Sequence, residues 1–174
     1  MAINNIARPG QDEYAPHYAT YISKVKSDDL IAELDSSMKD FISFIRTVPE
    51  AKLDYRYQDG KWTIREIIIH LMDAERIFTY RALRFSRNDQ TPLSGFDENE
   101  YVPESNAATR SLDSLIEEYS ALRNSTIALY KNFTPQMTMR TGIANGKEIS
   151  VRALGYVIPG HEIHHMGVIK DRYL

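Results

Sequence analysis

The chain contains no cysteine. This excludes disulfides, thiolate metal ligands and a cysteine nucleophile, so any metal must rest on His, Asp or Glu. Nor is there a basic excess: 21 Lys and Arg stand against 24 Asp and Glu, a formal net charge of -3. That is too little positive charge to neutralise a row of phosphates, and nucleic acid is not expected as a partner. No apolar run approaches the ~18 residues of a membrane span, and the opening stretch MAINNIARPGQDEY lacks the apolar segment of a secretory signal. The expectation is a cytoplasmic protein without membrane contact. Repeats and low-complexity tracts are also missing, which removes solenoids and disordered arrays. What remains, 174 residues with 43% hydrophobic side chains, can bury one core without staples. Residues 1–174 are expected to form a single domain.

Four segments carry the helical period, which predicts an all-α four-helix bundle. The first begins after Ser27, a plausible N-cap, and aligns Leu30, Leu34, Met38, Phe41, Ile45 and Val48 before Pro49 ends it. The second opens on Thr63 followed by Glu66, a capping box that satisfies two backbone donors reciprocally, and keeps an apolar face to about residue 86. A third runs from about Ser111, with Leu115, Ile116, Tyr119 and Leu122 inward, and stops at Thr134-Pro135. The last starts near Ser150, and Pro159 is expected to kink it because its ring removes a backbone bond and crowds the carbonyl of Gly155.

Two connections stand out. Residues 87–110, RNDQTPLSGFDENEYVPESNAATR, form a long link between the second and third helices, and links of that length commonly serve as lids or crossovers. With Phe96, Asp97 and Tyr101 it could close over a site and select a substrate, or equally be a plain crossover. In MRTGIANGKEIS, Asn145-Gly146 between short alternating arms predicts a small hairpin before the last helix.

Three of the five histidines crowd into HEIHH, residues 161–165. His161 and His165 are one turn apart on one helix face, a spacing that suits two ligands of one metal ion. They continue the inward row of Leu154 and Ile158. His70 lies on the inward row of Ile67, Ala74 and Ile77 in the second helix. Three inward histidines on two helices can offer three nitrogens and leave a fourth position open, as in catalytic sites. A lone inward His is more often a hydrogen-bonded core residue; the pair with a third on a second row is the stronger signal. His164 projects to the other side of His161, and His17 is assigned no role.

HEIHH also spells HExxH, in which Glu162 would be the general base of a zinc protease. In the extended form of that motif a Gly at 168 turns the chain towards a third ligand at 171, whereas Val168 and Asp171 stand here. Such proteases also bind peptides on a sheet that an all-helical chain lacks. Among nearby carboxylates, Glu66 is expected to be occupied by its capping box. Asp73, one turn after His70, and Glu162 are the candidates for acid–base work or for orienting the imidazoles, although a charge beside an inward row is more often simply solvated.

KWTIREIIIHLMDAE, residues 61–75, and GHEIHHMGVIKDRYL, residues 160–174, together resemble the DinB/YfiT-like superfamily of metalloenzymes, as do YAPHYATYI and PLSGFDENEYV. The resemblance implies a four-helix bundle with a divalent metal ion, nickel or zinc, held by one histidine of the second helix and two of the last. The matching positions are His70, His161 and His165, with His164 outside. It further implies a hydrolase using metal-bound water on a small-molecule substrate. One alternative is an S-transferase taking a thiol such as bacillithiol; another, suggested by the damage-inducible name, is a non-catalytic, stress-related metal-binding protein. A homodimer is implied as well.

Overall fold

The computed structural model describes residues 5–174. Asp29, Thr63, Ser111 and Ser150 each stand in extended conformation before an apolar-periodic run, and each side chain accepts hydrogen bonds from the first turn that follows. The four helices so started are α1 (Leu30–Ile45), α2 (Ile64–Ser86), α3 (Leu112–Lys131) and α4 (Val151–Arg172). α1 and α2 each pack against both α3 and α4, which closes a four-helix bundle. The start of α2 carries the expected box, with the Glu66 carboxylate accepting from the Thr63 N–H at 2.6 Å.

Two boundaries differ from expectation. Asp29 rather than Ser27 caps α1; the Ser27 hydroxyl accepts from the Asp29 N–H at 3.0 Å and shapes the turn ahead of the helix. α3 ends at Lys131, because Thr134 caps a separate turn, Pro135–Thr138, by accepting from the Met137 N–H. α4 passes through Pro159 as one unbroken helix. Glycines flank that proline for packing reasons. A Cβ at Gly155 would meet Leu30 at 2.4 Å, and one at Gly160 would meet the Tyr21 carbonyl oxygen at 2.2 Å.

The hairpin consists of β1 (Thr141–Ala144) and β2 (Lys147–Ser150), antiparallel, with Thr141 opposite Ser150. Asn145 and Gly146 have φ of 49° and 71°, the doubly left-handed turn that matches strand twist. Leu93 bonds to the strand side that leads into this turn, donating to the Ile143 carbonyl and accepting from the Asn145 N–H. The long connection is thereby anchored to the hairpin, and it carries short helical turns at Glu98–Tyr101, Val102–Glu104 and Ala107–Thr109.

The apolar interior comes in two parts. One gathers around Leu30, Leu34, Phe78, Tyr130 and Leu154, the other around Phe41, Ile45, Ile68, Leu115 and Ile169. Between them lies a polar layer centred on Arg123, which is 1% exposed. Its guanidinium donates to Glu75 of α2 at 3.0 Å, Glu162 of α4 at 2.7 Å and the Ser37 hydroxyl of α1 at 2.9 Å, so one side chain of α3 ties all four helices. The Tyr119 hydroxyl also donates to Glu162.

Candidate metal centre

His70 comes from the second turn of α2, and His161 and His165 from consecutive turns of α4, the two helices that pack side by side. Their Nε2 atoms converge: His161 lies 3.1 Å from His70 and 3.0 Å from His165. One ligating nitrogen from each ring can be chosen so that all lie within 4.8 Å of one another.

Hydrogen bonds alone cannot satisfy this cluster. A neutral imidazole nitrogen carries either a proton or a lone pair, so at least two of the three converging Nε2 atoms must be alike, and those two cannot hydrogen-bond to each other. A cation at the centre would satisfy all three. Two nitrogens on one ion at about 2.0–2.1 Å stand roughly 3.0–3.4 Å apart, and the observed spacing matches. The rings are also held in the metal-binding, neutral form. Burial pushes His70 down to about 4, opposed by the charge of Glu98. It pushes His165 to about 3, aided by His70 and His164. His161 is lowered as well, by burial and by its three histidine neighbours. The residues therefore fit a divalent ion.

The cluster opens on a cavity of about 350 Å³, within the range of small-molecule sites. Trp62 packs on the His70 ring at 4.7 Å between centroids, Tyr21 on the His161 ring at 5.1 Å, and Phe78 lies 6.3 Å from His161. The turn Ala19–Ile22 reaches the site because Gly160 lets its backbone lie against α4. The N-terminal segment is tied down by Glu13, which accepts from Arg152 and from the Ser150 hydroxyl.

Phe96 lines the cavity as expected, joined by Glu98. Asp97 instead caps the turn Glu98–Tyr101, and Tyr101 is 47% exposed in a different groove. His17 and His164 both line the cavity although neither joins the nitrogen cluster. Asp73 does not line it. It pairs with Arg76 in a groove with Glu100 and Glu118, where burial raises its pKa. Glu162, placed by HExxH as a base, turns to Arg123 and Tyr119; burial raises its pKa against the pull of Arg123, and its Oε1 has no partner among the described residues. Asp171, the third ligand the protease motif would need, is exposed. Arg123, Arg81, Trp62 and Tyr21 went unmarked in the sequence. A charged residue on the inward row of α3 was the available signal for Arg123.

Fold and site together define a four-helix-bundle protein with a three-histidine centre lining an aromatic cavity. Residues 33–169 match the DinB superfamily, and the chain belongs to that family. It is 26% identical over 163 residues to the Bacillus subtilis protein named "Putative metal-dependent hydrolase YfiT", covering 91% of this chain and 89% of that one. Oceanobacillus iheyensis OB0413, named in the same terms, is 24% identical over 131 residues, 72% of this chain and 73% of its own. The solved structure of YfiT, described as having an unusual four-helix bundle topology, superposes with a TM-score of 0.70 at 18% identity, over 95% of this chain and 91% of that one. A DinB-like protein of B. subtilis, YjoA, does so with 0.58 at 15% identity, over 82% and 87%. These superpositions show the shared bundle.

Proposed function

We propose that the chain is a metal-dependent hydrolase of a small molecule, with a divalent ion, nickel or zinc, held by His70, His161 and His165. The observation that carries this reading is the convergence of three neutral, largely buried imidazole nitrogens in the wall of a cavity. The names of YfiT and OB0413 support it. When bound, a divalent ion with three imidazole ligands supplies a Lewis acid with an open position, able to acidify water or a thiol.

The protein's own residues do the rest. Trp62 and Tyr21 brace the His70 and His161 rings from outside the cluster, which limits the reorientation needed on binding. Phe78 and Phe96 cover the apolar part of a substrate and displace water from it. His164, kept neutral by burial and by Lys24, stands at the cavity wall where its imidazole can take up a proton from the reacting group.

The test is elemental analysis of untagged protein beside the His70→Ala variant, followed by assay of esters, amides and thiol acceptors. One equivalent of nickel or zinc, lost with His70, and hydrolysis lost in parallel are expected. Absence of metal in both proteins after adding the ions back would overturn the reading. Thiol transfer without hydrolysis would keep the centre and replace the reaction.

A further inference from the structure

Arg81 lies on α2 eleven residues beyond His70, which is about 16 Å further along the helix and within about 20° of the same face. Its side chain is 3% exposed, and it lines the same cavity as the histidines. A guanidinium withdrawn from water normally has carboxylates for company. Arg123 and Arg65, the other buried arginines, each contact two. Arg81 has none among the described residues. It donates to the Ser94 carbonyl at 2.9 Å and lies within reach of the Tyr18 hydroxyl, both neutral. Burial lowers its pKa, and only Tyr18 acts in the opposite direction. The cation is thus desolvated without an anion to balance it. Between His70 and Arg81 the same face presents Ala74 and Phe78, both in the cavity wall.

We infer that the cavity accepts a small molecule bearing one carboxylate, which ion-pairs with Arg81 and accepts from the Tyr18 hydroxyl, while its apolar body crosses Ala74 and Phe78 towards the three histidines. This rests on the reading of the cavity as the substrate site and names the substrate class. A monoanion suits it better than a phosphate dianion, because among the described residues no second Lys or Arg lines the cavity and Glu98 does. A second negative charge would be left buried without a partner.

Trp62 is the chain's one tryptophan and borders the cavity, so its fluorescence reports occupancy. The experiment titrates 4-phenylbutyrate, 4-phenylbutyramide and 3-phenylpropylphosphonate into the protein as purified and after metal removal. The acid is expected to bind about tenfold or more tighter than the amide in both forms, as a charge-assisted contact would give. Arg81→Gln should abolish that preference, Arg81→Lys should retain part of it, and Tyr18→Phe should weaken it; the last two carry the test if Arg81→Gln fails to fold. No saturable binding of the acid, no preference for it in the wild type, or a preference that survives these variants unchanged overturns the inference. Tighter binding of the phosphonate overturns the choice of carboxylate. Because the preference is also read without metal, failure of the metal centre would leave it intact and is told apart by elemental analysis.

Discussion

Glu162 follows His161 directly in the chain, yet the two side chains serve different layers of the bundle. The His161 ring faces the other two histidines at 3.0 and 3.1 Å, whereas the Glu162 carboxylate lies 2.7 Å from the Arg123 guanidinium. The consecutive letters of HExxH thus belong to a candidate metal centre and to a buried ion cluster, and the protease arrangement is absent.

That separation predicts different losses. Arg123→Met leaves Glu75 and Glu162 buried without their cation and should destabilise by about 3–5 kcal/mol in urea denaturation. Glu162→Gln, which removes one charge and keeps a hydrogen-bonding group of the same shape, should cost less and leave metal stoichiometry unchanged. Loss of metal in Glu162→Gln at wild-type stability would return Glu162 to the centre.

Metal should stabilise the fold by mass action. At a free ion concentration of 100 times Kd the gain is about 2.7 kcal/mol, which for a chain of this length raises Tm by about 5–10 °C. A thermal scan with and without added zinc or nickel checks this. The shift should vanish in His70→Ala and persist in His164→Ala, whose ring is outside the nitrogen cluster.

Acid should loosen the N-terminal segment through Glu13. Burial alone would raise its pKa, but hydrogen bonds from Arg152, the Gly10 N–H and Ser150 outweigh it and hold the carboxyl below its ordinary 4.5. A carboxyl lowered by folding stabilises fully above its unfolded pKa and loses that contribution as pH falls through the folded value. The urea midpoint of the wild type should therefore exceed that of Glu13→Gln at pH 7, and the two should approach each other below about pH 4.5. A constant gap down to pH 3 would contradict the assignment.

Two glycines of α4 should respond oppositely to alanine. At Gly160 the new methyl would lie 2.2 Å from the Tyr21 carbonyl oxygen, backbone that no side-chain rotation can move aside. Gly160→Ala should cost about 1–3 kcal/mol and speed amide exchange in residues 19–22. At Gly167 nothing lies within 4 Å of the new methyl, and the helix should gain about 0.5–1 kcal/mol. Equal effects at the two positions would refute the close approach of the turn.

The helices were legible because their signals are local. Thr63 with Glu66, Ser111, Ser150 and Asn145-Gly146 each act on backbone within three residues, so their effect needs no tertiary context. The start of α1 was misplaced by two residues because Ser27 and Asp29 are both competent caps; the local turn in which the Ser27 hydroxyl accepts from the Asp29 N–H decided between them. The three histidines stood out because each lies on an apolar row, where a polar ring is conspicuous. Arg123 and Arg81 did not, since a charge on a mostly apolar face ordinarily ends in water.

By itself, then, the sequence determined four amphipathic helices, the caps of three of them, the hairpin turn and which histidines face inward. These follow from backbone hydrogen bonding and helical period, which act over a few residues. The tertiary structure alone decided what those inward groups meet. It brought His70 within 3.1 Å of a ring 91 positions later, matched Arg123 with carboxylates from two other helices, and left Arg81 without one. Such pairings depend on how separate helices align, and no local pattern encodes a distance between elements that the chain joins through long connections.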